Sequence, residues 1–524
     1  MSLRRAVLSA AAAVVGLAAC GATRPVSNTS ITAKAPVMTA VGADATDPTV
    51  QAAFLGVDIW VDPVAGNDSN TGQDRAHALG TVAAAWARIP IGVTLTSGYR
   101  IMLAAGHYPQ ATSVNYWENR HGTAAAPIVL QAADGSHTAV FDADINMFDV
   151  SYFSLIGVDI VREGDTFHCE QCRHVLIRDV ELDGGAGAHD NVKVNQSQYV
   201  AIENSDIHGA DDNAVDFVAV QYGHLTGNRI HDAQDWCAYA KGGSAYIEYS
   251  GNEVFDCGTG GITAGQGTGF EFMVAPWLNY EAYGVLIDNN VIHDVQGAGL
   301  GVAGGFNVTF AYNTLYRVGT RSHLVEFVHG RRGCDGIVET CAAHRAAGGW
   351  GTTGGEEPLI PNRHIVFANN VVLNPSGAGS QWQQFQIDGP LGVDPASGVP
   401  SPSRADDDLH IVGNVIWNGP VGHPLGTDDA CLAANPTCND TQITAENAIN
   451  TVQPVLRDPA HGDYRLTPDS AAAMPAWAMV AGFVWDSTPI PVPPGIDLVA
   501  IPVAATAACP AVRLAAPGPV CLGW

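Results

Sequence analysis

Three stretches decide the fold when laid one above another: "NSDIHGADDN" at 204–213, "NRIHDAQDW" at 228–236 and "NEVFDCGTG" at 252–260. Each begins with Asn and passes within a few residues through an aliphatic to His or Asp. The three asparagines are 24 residues apart. "NVIHDVQGAG" (290–299) and "NTLYRVGTR" (313–321) repeat the pattern 23 residues apart. "NVVLNPSG" (370–377) and "NVIWNGP" (414–420) follow longer gaps that read as one coil plus an insertion, and Asp179 fits one step before Asn204. A period near 24 built from short aliphatic segments, such as "YVAIEN" and "GVLIDNN", is a solenoid signature. The alternation within them gives β-strands with one side inward. No unit holds a ten-residue stretch of helical period, which excludes a helical solenoid. Asn before a strand suits a left-handed turn, and stacked Asn side chains bond as a ladder. Asn204, Asn228 and Asn252 are therefore predicted to form one column.

The rest of the chain agrees with an exported β protein. Of 524 residues, 58 are Gly and only 15% are charged, and the formal net charge is −28. That charge excludes nucleic acid and anionic lipid as electrostatic partners, and it repels an acidic polymer unless cations mediate the contact. "MSLRR" followed by "AVLSAAAAVVGLAAC" reads as an export signal, not a membrane span. Leu17-Ala18-Ala19-Cys20-Gly21 resembles the bacterial lipoprotein box. That resemblance implies removal of 1–19, a lipidated Cys20, and a membrane link through that lipid alone, in the cell envelope. Residues 20–56 read as a tether. The ten cysteines besides Cys20 are an even number, as bridges in an oxidising compartment require. Cys334/Cys341, Cys431/Cys438 and Cys509/Cys521 are local pairs. Cys169 and Cys172 form a bridge or two free thiols, and Cys237/Cys257 can join neighbouring segments.

The arrangement resembles the right-handed parallel β-helix of secreted polysaccharide-active proteins. "IWVDPVAGNDSNTG" (59–72), "TVAAAWARI" (81–89) and "YRIMLAAGHY" (99–108) resemble the entry module of that superfamily, in which a short amphipathic helix caps the core. An all-β, right-handed parallel β-helix is expected over 57–424, with an irregular cap or tail over 425–524, as a monomer.

Chemistry concentrates in three coils: "HDNVKVN" (189–195), "DDNAVDFV" (211–218) and "CAYAKGG" (237–243). Aligning Val192, Val215 and Ala240 as inward residues places Lys193, Asp216 and Lys241 in one outward column. Asp190, Asp211 and Asp212 stand at the strand starts. Carboxylates stacked at coil spacing repel unless a cation intervenes; lysines supply one, and calcium, which takes six to eight oxygens, another. The chain has only three lysines, at 34, 193 and 241, against 21 arginines, so a lysine among glycines is conspicuous.

The pattern resembles pectate lyases of polysaccharide lyase family nine. By that resemblance "DDNAVD" corresponds to the calcium-binding strand and Asp190 to the Asp of the preceding coil. Lys241 corresponds to the catalytic base, and Asp190, Asp211, Asp212 and Asp216 to the Ca²⁺ ligands. One extra residue between Asp211 and Asp216 departs from the family pattern. The implied reaction is calcium-assisted β-elimination on a uronate-containing, acidic polysaccharide, with Lys193 binding substrate. Lysine can lose its proton near neutral pH, and arginine cannot. The insertion at 265–284 adds Trp277 and Tyr280 as sugar-stacking candidates or as a small core under a loop. "RSHLVEFVHGRRGCDG" (321–336) adds Arg321, His323, Arg331 and Arg332 as charge clamps or a leaving-group acid. His208, His231 and His293 share one repeat position and read as a structural column. A glycoside hydrolase or uronate epimerase on this fold, and a non-catalytic adhesive β-helix, remain alternatives.

Overall fold

The computed structural model describes residues 56–473 except 275–278, 335, 355–357, 420–422 and 428. The lipoprotein box, Cys20, Trp277 and the Cys509/Cys521 pair lie outside the described residues. Thirty-one strands join one parallel sheet wound into coils. Its pairings resolve into three ladders, one per face of the coil. One inward column runs Val192, Val215, Ala238, Ile262, Leu300, Val325. All six are fully buried. The N-terminal end is closed by the short helix Val82–Trp86, whose Thr81 cap accepts from the Ala84 amide. Its Trp86 ring meets Trp117 edge-on at 4.7 Å. At the other end Val415 and Ile416 pair with Ala448 and Ile449, so coil stacking continues past residue 424 before an antiparallel pair (Leu456–Asp458 with Asp463–Leu466) breaks it.

The asparagine column is present with one correction. Asn228, Asn252, Asn290, Asn313, Asn370 and Asn414 each pass an Nδ2–H to the Oδ1 of the next, ending at Asn447, at 2.8–3.1 Å. Asn204 is not a rung. The Ser205 amide takes that place, donating to Asn228 Oδ1 at 3.0 Å. Asn204 sits one residue earlier at φ 48°, in line with the left-handed Gly227 (67°) and Gly251 (65°). The turn needs a left-handed residue followed by a ladder residue, and Asn serves in either place. Asn290→Ala leaves the Asn252 amide without its acceptor and its Nδ2 with the Leu225 carbonyl alone. We expect a loss of roughly 1–3 kcal/mol in denaturant unfolding. Asn204→Gly should change little.

The predicted histidine column is also formed. His208, His231, Phe255 and His293 stack at 4.7, 4.4 and 4.8 Å between ring centroids. His208 and His231 lie 6° from parallel, so their in-plane lone pairs do not converge on one ion. His231 bridges Asp206 and Asp232, and His293 bridges Glu253 and Asp294. Burial works against protonation of both, but these carboxylates overcome it and raise them above 6.5. The folded state then holds protons that the unfolded chain releases. This stabilisation is complete below about pH 6.5 and is lost as pH rises through the raised values. Melting temperature measured across that range should fall with pH, and His231→Gln should flatten the fall.

Candidate active site

The third ladder carries the site. Along its outer side the pairing runs His168, Lys193, Asp216, Tyr239, Thr263, Gly301, Glu326, Gln386. Lys193 stands beside Asp216 as expected. Lys241 does not. It pairs with Val218, two residues further along, and Tyr239 takes the place beside Asp216. The coil from Val215 to Ala238 holds 23 residues, whereas the expected alignment of Val215 with Ala240 needs 25. A shift of two keeps Lys241 on the outer side but moves it to the rim.

Lys193 binds two carboxylates at once, with Nζ 2.6 Å from Asp190 Oδ2 and 2.5 Å from Asp216 Oδ2. Asp190 Oδ1 accepts from Asn213 Nδ2 at 2.8 Å, and that amide also lies 3.2 Å from the Tyr239 hydroxyl. Asp190 and Asp216 are buried, at 1% and 0% exposure. Burial alone disfavours the Lys193 ammonium, but the Asp216 and Asp190 charges raise it well above an ordinary lysine. Burial also opposes Asp190 ionisation, and Lys193 with Asn213 holds it below the usual range. Burial pushes the Asp216 carboxyl up, against the pull of Lys241 and Lys193. Tyr239 is pushed up by burial and by Asp216 and Asp190, so it stays a neutral phenol.

The four expected calcium ligands do not form one oxygen shell. Asp216 gives its Oδ2 to Lys193 while its buried Oδ1 has no hydrogen-bond partner, and Asp211 is exposed. Asp190 and Asp212 converge with His189 to within 4.8 Å. Asp212 is raised to about 6 by burial and by the Asp190 and Asp235 charges. Calcium asks for six to eight oxygens. Here an imidazole is one of three donors and Asp190 is already shared with Asn213 and Lys193, so the residues present do not fit the ion.

Lys241 is placed differently from Lys193. Its Nζ donates to Gln266 Oε1 at 2.9 Å and lies 4.6 Å from the Tyr239 ring centroid. No carboxylate among the described residues pairs with it. Gln266 borders a cleft of about 450 Å³ that runs over Trp236, Thr263 and Gly301 to Glu326 and Arg331. The Trp236 indole lies across Gly260 and Gly301, where a Cβ would stand 2.1 Å and 3.1 Å from ring atoms. One wall is a side strand, Gly267–Gly269, paired with Gly330–Gly333.

The other candidates separate. Tyr280 is 5% exposed and packs on Phe306 and Trp350, so it belongs to a loop core and cannot stack on a sugar. Arg321 donates to the Gly258 carbonyl at 3.0 Å and staples two coils. His323 is 5% exposed beneath Trp382, 5.1 Å between centroids. Neither contacts Lys241. Tyr239, Gln266 and Glu326 were missed, because only the register of the coils brings them to this face. Cys169–Cys172, Cys237–Cys257, Cys334–Cys341 and Cys431–Cys438 are bridged. No helix among the described residues is long and apolar enough to cross a membrane.

Residues 165–324 match the family model described as "Right handed beta helix region". Comparison with curated protein sequences finds no match. Among solved structures, the mannuronan C-5 epimerase AlgE4 A-module of Azotobacter vinelandii is 13% identical, over 62% of this chain and 86% of that one, at TM-score 0.38. Pectate lyase Pel9A is 14% identical over 67% and 82%, at 0.34. PfbA, a surface adhesin of Streptococcus pneumoniae, is 10% identical over 69% and 84%, at 0.40. Likenesses this distant carry nothing about activity. Matched family region, coil period and parallel pairing agree: the chain is a right-handed parallel β-helix.

Proposed function

We propose that the chain is a polysaccharide lyase that cleaves a uronate-containing polymer by β-elimination, with Lys241 as the base. The observation that carries this reading is the contrast between two lysines on one face. Lys193 is clamped by two carboxylates that hold its proton. Lys241 faces an amide oxygen and a ring at the rim of a cleft. In the reaction the neutral Lys241 amine takes the proton at C5, the C4–O4 bond breaks, and a C4–C5 double bond forms. O4 leaves with a proton from water. The substrate carboxylate must be countered as charge develops on it. Arg331, exposed on the side-strand wall of that cleft, supplies that charge. No step runs through calcium, because Lys193 holds the position between Asp190 and Asp216. The disulfides suit an oxidising compartment outside the cytoplasm.

The test is product chemistry across a panel of uronate polymers, with and without chelator. Elimination gives an ultraviolet-absorbing unsaturated uronate at each new non-reducing end, at a rate indifferent to chelator. Reducing ends without that absorbance indicate hydrolysis and overturn the reading. Absorbance abolished by chelator restores the calcium requirement.

A further inference from the structure

The cleft does not carry one sign of charge along its length. Lys241 reaches the edge of the cleft through Gln266, and Arg331 lies on the side-strand wall, where its amide donates to the Gln266 carbonyl at 3.0 Å. Three coils beyond Tyr239 the floor position belongs to Glu326, through Thr263 and Gly301. Its carboxylate accepts from Ser322 Oγ at 2.9 Å and lies 3.7 Å from His323 Nδ1. No lysine or arginine among the described residues pairs with it. The Glu326 side chain is 22% exposed, so its remaining oxygen positions face the cleft. Beside it the His323 ring supports Trp382, which is 50% exposed.

An exposed indole next to an oriented carboxylate suits a neutral sugar ring. The indole face takes the ring's C–H surface and the carboxylate accepts its hydroxyls. The same carboxylate repels a uronate, because like charges in a partly desolvated cleft reject a ligand. At ~4.8 Å per coil, Glu326 stands ~14 Å along the axis from the Tyr239 coil, about two to three linked sugar rings.

Building on the lyase reading, we propose that the cleft selects a heteropolymer. A uronate lies against Lys241 and Arg331, and an uncharged ring occupies Glu326 and Trp382 a few units along the same chain. A polymer made only of uronates places a carboxylate on Glu326 and is disfavoured.

Binding decides this separately from turnover. Calorimetric affinities are measured on the full chain carrying Lys241→Arg, which keeps the positive charge beside the uronate. The probes are oligogalacturonate and a set of equally long oligosaccharides in which uronate alternates with a neutral hexose or N-acetylhexosamine. At least one alternating ligand should bind about tenfold more tightly than oligogalacturonate. Adding Glu326→Gln should shrink that ratio by strengthening oligogalacturonate, and adding Trp382→Ala should weaken the alternating ligand about tenfold. Both positions are solvent-facing, and unchanged melting confirms that the variants fold. Equal or tighter binding of oligogalacturonate, or a ratio untouched by Glu326→Gln, overturns the proposal. Unsaturated product from the wild-type chain reports on the lyase reading alone: if it is absent while the affinity pattern holds, the lyase reading falls and the selectivity stands.

Discussion

Lys241→Ala should lower turnover of a uronate polymer by about 10²- to 10⁴-fold, the usual range for loss of a general base. Melting temperature should move little, because Lys241 gives up a Gln266 contact, a ring contact and an unbonded charge near Asp216, whose carboxylate keeps its Lys193 bond. Lys241→Arg is the sharper variant. It keeps the positive charge and can still reach the Gln266 amide, but a guanidinium stays protonated at any working pH. A lysine needed for charge alone predicts recovered activity in the Arg variant. A lysine needed as a base predicts a stable protein that binds polymer and stays nearly inactive. The comparison with Lys193 gives an internal control. Lys193→Ala strands two buried carboxylates, Asp190 and Asp216, and should lower stability by roughly 3–5 kcal/mol before any effect on chemistry is read. Loss of activity without loss of stability at 241, against loss of stability at 193, separates the two roles. If Lys241→Arg turns over substrate like the wild type, the base lies elsewhere.

The sequence disclosed the coil but not its phase. Asn recurs because each turn needs a left-handed residue and then a ladder amide, and Asn fills either place. The period is therefore visible, while a one-residue ambiguity such as Asn204 against Ser205 is not. The same ambiguity moved Lys241 by two positions. Residues 215 to 240 contain no insertion visible in composition, and only the Val215–Ala238 pairing fixes the coil at 23 residues. Lys193 beside Asp216 was legible because that step joins two strands whose inward valines align. Its capture of both carboxylates was not, since reach and rotamer are three-dimensional. The aromatics of 265–284 read equally as platform or core. Tyr280 became core because the loop folds back on Phe306 and Trp350. Glu326 gave no sequence signal: it joins the cleft only because coil register places it three steps beyond Tyr239.

The turn that holds Lys241 rests on a buried ion pair, and breaking that pair should cost as much stability as Lys193→Ala. Glu281 and Arg332 bond through Oε1 and Nη2, both side chains wholly inaccessible. Glu281 Oε2 accepts from the Gly242 amide at 3.0 Å and from Thr268 Oγ1 at 2.6 Å. The Gly243 amide donates to the Glu281 carbonyl at 2.9 Å. Gly242 and Gly243 have φ of 67° and 79°, a backbone that releases the chain sharply after Lys241. Arg332 also donates to the Asn279 carbonyl at 2.8 Å, tying in the insertion. Glu281→Ala leaves the guanidinium buried without its carboxylate, so we expect a loss of about 3–5 kcal/mol. Replacing both partners by apolar residues of similar size, Glu281→Leu with Arg332→Met, removes the stranded charge and should return most of that stability. It cannot return the acceptor for Gly242 and Thr268. The double variant should therefore melt near the wild type yet cleave slowly, with Lys241 no longer held at the cleft rim. Full activity in that variant would show that the glycine turn positions Lys241 by itself.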